Sequence, residues 1–376
     1  MAEYAKGLEG VIAAESRMSF IDGARGVLEY VGIPIGELSA SSTFEETVFL
    51  LWNARLPTRE ELDSFTKDLR SHYEPPAGVA DQIRLMPKSA PPMHALRTLV
   101  SALAMFDPEP NANDPDSARA KALRILGSAP AIVAWFDRHR RGEEFIPPDR
   151  NLTFAENFLY MLNGEKPTET MARAFDICMI LHADHGLNNS TFAARVIIST
   201  LSDVYSALTG AIGSLRGPLH GGANEGVMHM LSEIPSVDAV EGYIMGKIKR
   251  KEKIMGFGHR VYKAKDPRAA DLQRLAKQLA EDTGNQDLYE KSSRIEQIME
   301  RELSAKGIWP NVDFYSATTY HCIGLKLDLF TPMFALSRLG GWSGHIIEQL
   351  EDNRLFRPKA AYVGPHDQPY VAIERR

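Results

Sequence analysis

Residues 254–268, IMGFGHRVYKAKDPR, combine a flexible backbone with side chains able to do chemistry. Gly256 and Gly258 flank Phe257, so the chain can bend sharply and pass close to a ligand where a Cβ would clash. His259 and Arg260 follow at once, adding a titratable imidazole and a fixed cation. Asp266-Pro267 reads as a helix start with Arg268 just inside it. Upstream lies a basic run: Lys247, Lys249, Arg250, Lys251 and Lys253. A glycine turn, a histidine and clustered cations suit an anionic ligand, most naturally one with phosphates. The same residues also suit a solvated surface loop.

His220 follows Gly217-Pro218-Leu219 and precedes Gly221-Gly222, after which apolar residues recur at helical spacing. The macrodipole at a helix N-terminus keeps a histidine neutral, and neutral imidazole can hydrogen-bond a carbonyl oxygen and support an enol or enolate. Taken alone, helix capping is the plainer account. Asp313, in WPNVD, stands where a proline loop becomes a helix. That makes it an N-cap by default and, functionally, a general base beside a carbon acid. His182 and His185 are three apart and so share a helix face. No Cys or Glu at ligand spacing completes a site there, so hydrogen bonding is expected and metal is not. Arg338 lies in a strongly apolar stretch, where a guanidinium needs an anionic partner, protein or ligand. Arg357, before Pro358, suits a solvated cation; with Arg268 and Arg338 it would make a bidentate clamp for a dicarboxylate.

The scaffold for these residues reads helical almost throughout. Residues 11–36, punctuated by Asp22-Gly23 and Gly26, suit one small hairpin or extended segment. Ser42 or Thr43 can cap a helix through Trp52, with Phe44, Val48, Leu51 and Trp52 at helical spacing. Thr58 with Glu61, and Thr153 with Glu156, form capping boxes. Asn163-Gly164 is a helix stop. Residues 93–105 read as helix and the polar stretch 107–117 as loop. Residues 171–184 are apolar nearly all round, which marks a buried helix. Residues 191–200 and 204–215 continue that texture. From Gly217 glycines and charged helices (266–282 and 287–306) take over, before a long apolar helix at 330–350. No alternating strand series or solenoid repeat is present. The expectation is an all-α fold with a minor β element near the N-terminus. A large helical domain, residues 1–216 and 321–376, carries a smaller inserted one, residues 217–320.

With 376 residues, 44% hydrophobic and 24% charged, a sizeable core is expected. A net charge of −6 argues against general nucleic-acid binding. The two cysteines, Cys178 and Cys322, sit in apolar surroundings and read as buried thiols of a reducing compartment. No apolar run spans a bilayer, and the first residues lack the pattern of a signal or transit peptide, so no membrane association and a cytoplasmic location are expected.

The runs IDGARGVLEYVGIPI, HADHGLNNS, GPLHGGANE, GFGHRVYKAKDPR, PNVDFYS and the ending LSR…RPKA resemble, in family order, the motifs of the citrate synthase family. That family includes 2-methylcitrate synthases, which use propionyl-CoA, and these motifs do not separate the two. The resemblance implies a two-domain, mainly helical homodimer that condenses acetyl-CoA with oxaloacetate, with no permanently bound cofactor. His220, His259 and Asp313 match the catalytic trio. Asp313 would take a methyl proton, His220 would hydrogen-bond the thioester oxygen, and His259 would polarise the oxaloacetate carbonyl. His185, Arg268 and Arg338 match oxaloacetate or citrate ligands, and Arg357 matches an arginine supplied by the neighbouring subunit. Lys253, Ile254, Met255, Gly256 and Phe257 match the loop holding the adenine end of CoA. Lys263, and after it Lys249 and Arg250, are candidates for CoA phosphates. Arg70 falls near a further substrate arginine of bacterial relatives, without a sharp motif around it.

Departures are Val31, where many relatives have Arg, and Pro91, where many have His; neither touches the chemistry. The long N-terminal extension of the NADH-regulated hexameric type is not seen, so a dimer without that control is expected. The competing readings are a non-enzymatic helical scaffold, which an internal repeat would favour, and a metal-dependent CoA lyase, which EDTA would inactivate.

Overall fold

The computed structural model describes residues 4–376. Its first elements are three short antiparallel strands, β1 Ser19–Asp22, β2 Val27–Tyr30 and β3 Ile33–Pro34, in spatial order β1-β2-β3. Ser19 pairs with Tyr30 and Asp22 with Val27, while Tyr30 also pairs with Ile33. The turn into β3 holds Val31 and Gly32 at φ 51° and 79°, the left-handed pair that a two-residue hairpin requires.

Sixteen α-helices follow among the described residues. They are α1 Ile35–Ser41, α2 Phe44–Asn53, α3 Arg59–Ser71, α4 Ala77–Leu85, α5 Pro92–Ala102, α6 Pro115–Arg141, α7 Phe154–Asn163 and α8 Glu169–His182. Then come α9 Asn189–Ile198, α10 Val204–Leu215, α11 Ala223–Glu233, α12 Val240–Lys249, α13 Ala269–Thr283, α14 Gln286–Leu303, α15 Val312–Cys322 and α16 Phe330–Glu351. The fold is all-α with a minor sheet, as expected. Thr43 caps α2, both capping boxes form, and Gly164 ends α7 in the left-handed conformation.

Several elements differ from expectation. The 27-residue α6 begins inside the stretch expected to be loop, with Asp114 as its cap, and runs through Pro130. Burial on almost every side of residues 125–137 holds it together across the proline. The N-terminal region forms three strands where one small hairpin or extended segment is expected. The helix after Asp266-Pro267 starts only at Ala269. His182 is the last residue of α8, so His185 lies beyond the helix and the two histidines do not share a face.

The core is organised on α16, whose residues from Phe330 to Ile347 are all buried. It packs against α2, α5, α6, α8, α9 and α10. Glycines let it come close: a Cβ on Gly341 would lie 2.2 Å from the Ala183 carbonyl oxygen, and Trp52 donates its indole N–H to Gly340 O at 2.8 Å. Helices α11 to α15 pack largely on one another, meeting the rest through α8 and α16. No helix is long and apolar enough to cross a membrane among the described residues.

Candidate active site

Two segments far apart in sequence are tied together to build the centre of the site. Phe257 and Pro310 form an isolated antiparallel bridge. Gly258 N donates to Trp309 O and Asn311 N to Gly256 O, both at 2.9 Å. Asn311 Nδ2 donates to Gly258 O at 3.0 Å across 53 residues of chain. The glycines are required here: Gly256 has φ 78°, and a Cβ on it would lie 2.8 Å from both Phe314 and Val227. This clasp sets His259 on one side and Asp313 on the other.

Asp313 is not an N-cap. Asn311 takes that place and accepts from Asp313 N at 3.0 Å, which leaves the Asp313 carboxylate free in the first turn of α15. Its Oδ1 is sealed from solvent and unpartnered, although the residue keeps some exposure. Burial raises its pKa to about 7, against the pull of Arg268 and Arg338. A carboxylate so placed is a base matched to neutral pH.

His259 Nδ1 accepts from Val261 N and Tyr262 N, both at 3.0 Å. Two backbone donors leave Nδ1 without a proton, so the neutral ring carries its proton on Nε2, ready to donate. Burial, with the Arg268 charge, holds the imidazole down to about 4. His185 lies edge-on to it, ring centroids 5.2 Å apart, with Nε2 at 3.1 Å from Tyr262 Oη. Burial pushes the His185 pKa well below the ordinary value, helped by Arg268.

His220 precedes α11, whose cap is Gly222, so it stands in the turn before the helix and does not cap it. Its Nε2 lies 2.8 Å from Ser190 Oγ. That hydroxyl receives the Trp342 indole N–H at 3.1 Å and lies 2.7 Å from Asn188 Oδ1. Burial and then Arg338 lower the His220 pKa to about 4. Three neutral imidazoles and one basic carboxylate therefore coexist at neutral pH.

The two buried arginines differ. Arg268 is paired with Asp266, Nε to Oδ1 at 2.9 Å and Nη2 to Oδ2 at 2.8 Å. Arg338 donates Nε to His182 O at 2.6 Å and lies over the Phe334 ring at 4.7 Å. It is 1% exposed and has no ion-pair partner among the described residues. Burial lowers its pKa to about 10. His182, the neighbouring histidine, turns into the core instead, with Nδ1 2.8 Å from Cys178 O.

Other expected residues lie around or away from this cluster. Ile254, Gly256 and Phe257 are buried and Met255 partly so, which leaves that loop its backbone to offer. Lys253, Lys263 and Lys249 have no ion pair among the described residues, whereas Arg250 is tied to Glu252 at 2.5 Å. Arg357 is exposed, on the extended chain after α16, and donates to Pro358 O at 2.7 Å. Arg70 lies on α3 and lines a cavity of 640 Å³ with Glu45, Arg59, Lys67 and Arg150, which none of the other site residues reach. Within this chain it stands apart.

Residues that sequence reading does not single out are Ser190, Tyr262, Asp266, Asn311 and Trp342. Asp266 and Asn311 do carry a signal, since both stand beside prolines at helix starts, but capping accounts for that signal equally well. Ser190 and Trp342 are visible only once α9 and α16 are packed.

A family model described as "Citrate synthase, C-terminal domain" matches residues 7–359. The citrate synthase of Deinococcus radiodurans is 50% identical over 376 residues, spanning all of both chains. A citrate/2-methylcitrate synthase of Bacillus subtilis is 42% identical, covering 97% of this chain and 98% of its own. Among solved structures, citrate synthase from the thermophilic archaeon Thermoplasma acidophilum, in a ternary complex with carboxymethyl coenzyme A and oxaloacetate, has a TM-score of 0.94 at 36% identity, covering 100% of both chains.

Proposed function

The chain belongs to the citrate synthase family, and from that premise we propose how its own residues carry the reaction. It condenses acetyl-CoA with oxaloacetate and water to citrate and CoA. The observation that carries the assignment of residues is Arg338, a buried guanidinium without an ion-pair partner beside a basic carboxylate and three neutral imidazoles. An anionic substrate supplies what the buried cation lacks.

Oxaloacetate binds with a carboxylate on Arg338, a second near Arg268, and its ketone oxygen facing His259 Nε2–H and His185. Arg268 approaches with its charge already shared by Asp266, so it positions more than it neutralises. The acyl thioester enters with its methyl group at Asp313, which removes a proton while His220 hydrogen-bonds the developing enol oxygen. The Ser190 hydroxyl has one proton and two acceptors in reach, Asn188 Oδ1 and His220 Nε2; turned to Nε2 in the substrate complex, it leaves the ring proton on Nδ1, free to donate. The enol carbon attacks the ketone carbon, and His259 stabilises the alkoxide. Water then cleaves the citryl thioester, releasing citrate and the CoA thiol. The burial of Ile254, Gly256 and Phe257 supports a backbone contact with the adenine end of CoA, with Lys263 and Lys253 at its phosphates.

Residues 217–320 form the smaller domain in this reading, and 1–216 with 321–376 the larger. Arg338 then belongs to one and His220, His259 and Asp313 to the other, so closure completes the site and excludes water. Closure orders the substrates, oxaloacetate first; an acyl-CoA affinity independent of oxaloacetate would contradict this. The protein works as a homodimer in which Arg357, exposed on its own chain, reaches the neighbouring site.

The test is initial-rate thiol release with oxaloacetate, comparing acetyl-CoA and propionyl-CoA as kcat/KM. Preference for acetyl-CoA is expected. Comparable or better use of propionyl-CoA would place the chain with the 2-methylcitrate synthases, and no thiol release with either would overturn the reading.

A further inference from the structure

We infer that the turn between β1 and β2, through Gly23 and Gly26, is a positioning device for His259, acting on the catalytic loop from behind. The inference rests on the role proposed for His259. The turn is built locally: Asp22 Oδ1 accepts from Ala24 N and Arg25 N at 3.0 Å each, and Arg25 Nε donates to Asp22 Oδ2 at 2.6 Å. Its outer face lies directly on the backbone of residues 261–265. Lys263 N donates to Gly23 O at 2.8 Å. A Cβ on Gly23 would lie 2.2 Å from Val261 O and 2.8 Å from Val261 C. One on Gly26, which has φ 67°, would lie 2.8 Å from Lys265 O. The obstacles are backbone carbonyls, not flexible side-chain ends, so relief requires moving the loop itself.

What that loop does gives the contact its meaning. The N–H groups of Val261 and Tyr262 fix the His259 ring through Nδ1, and the Tyr262 hydroxyl meets His185. The turn therefore lies against the Val261–Tyr262 peptide, whose N–H is one of the two donors that orient the imidazole, and against the Tyr262–Lys263 peptide next to it. Tyr262 is buried, but Val261 and Lys263 on either side of it have exposed side chains. The hairpin supplies the rigid backing, and its glycines are what allow backbone to lie on backbone.

The experiment compares Gly23→Ala with Gly36→Ala, a glycine of α1 around which an added Cβ meets nothing within 4 Å. Arg25→Ala serves as a milder second variant that adds no atom and removes an exposed side chain. Gly23→Ala is expected to lower kcat/KM for oxaloacetate at least tenfold, chiefly in KM. Arg25→Ala should shift it in the same direction by a few-fold, and Gly36→Ala not at all. The readout that does not depend on turnover is the His259 titration by NMR of isotope-labelled histidine. Released from its two backbone donors and exposed, the ring should titrate higher in Gly23→Ala, toward the ordinary histidine value. A His259 titration and oxaloacetate KM equal to wild type in folded Gly23→Ala and Arg25→Ala would overturn the inference. Absence of thiol release from the wild type would instead strike the catalytic reading, leaving the titration to decide this one.

Discussion

Replacing Asp313 by asparagine should cost activity and yet, above neutral pH, stabilise the protein. The Asp313 carboxyl has a pKa of about 7 in the folded chain and an ordinary value of 3.8 in the unfolded one. The folded state therefore binds more protons between those values, and wild-type stability falls as pH rises through that window. That gap corresponds to about 4 kcal/mol once pH exceeds both values, an upper figure given the residue's remaining exposure. Asparagine removes the charge penalty but buries an amide beside an already unpartnered site, costing about 1–3 kcal/mol at any pH. The two terms cross. At pH 4 Asp313→Asn should be less stable than wild type by about 1–3 kcal/mol, and at pH 8 more stable by a similar amount. For a chain of this size about 1 kcal/mol moves Tm by about 1 °C. Thermal unfolding of both proteins across pH 4 to 8, with thiol release measured on the same samples, checks the sign change. Activity should drop by about 10²–10⁴. A stability difference that is constant with pH would refute the raised carboxyl, and residual activity near wild type would refute the base.

The wild-type kcat/KM should fall about tenfold per pH unit below about pH 7, because Asp313 protonates there while His220 and His259 stay neutral down to about 4; an acid limb near 4 would assign the base elsewhere. Arg338→Gln should raise the oxaloacetate KM by about two to three orders of magnitude with a much smaller effect on the acyl-CoA KM, measured by varying each substrate in turn. Ser190→Ala should lower kcat by about 10–100-fold at nearly unchanged KM, since it frees the His220 tautomer without touching oxaloacetate; an effect on oxaloacetate KM alone would contradict that. Val31→Asn should stabilise by about 1 kcal/mol, because a β-branched residue at φ 51° is strained where asparagine is tolerated; urea unfolding midpoints measure it.

Much of the fold is legible where cause and effect lie within a few residues. Thr58 with Glu61 and Thr153 with Glu156 announce helix starts because both halves of each box lie in one turn. The segments of the candidate site are legible for a different reason: glycines beside histidines and an aspartate after a proline loop are unusual in ordinary core. What escapes is decided by packing. Pro130 argues for a break, and only the neighbours surrounding α6 carry the helix through it. His182 and His185 are equivalent by spacing, yet the end of α8 falls between them and sends one to the core and the other to the site. Arg268 and Arg338 look alike in sequence; Asp266, two residues from one, has no counterpart for the other. Arg70 resembles a ligand by position alone, and α3 carries it to a separate cavity.

The clasp of residues 256–258 on 309–311 also turns the chain between them into a loop whose ends are pinned together. Everything from Val261 to Ile308, with α13 and α14, departs from and returns to nearly one point. Lengthening that excursion at its far end, at the Gly284-Asn285 turn, leaves the spacing of His259 and Asp313 untouched. A one-residue insertion between Gly256 and His259, or between Pro310 and Asp313, would slip one of these side chains against the other by a whole peptide. A graft of the His259–Asp313 pair onto another scaffold thus has to carry two short strips of backbone in register, with residues 260–268 attached to hold the imidazole, and can vary the helices beyond them.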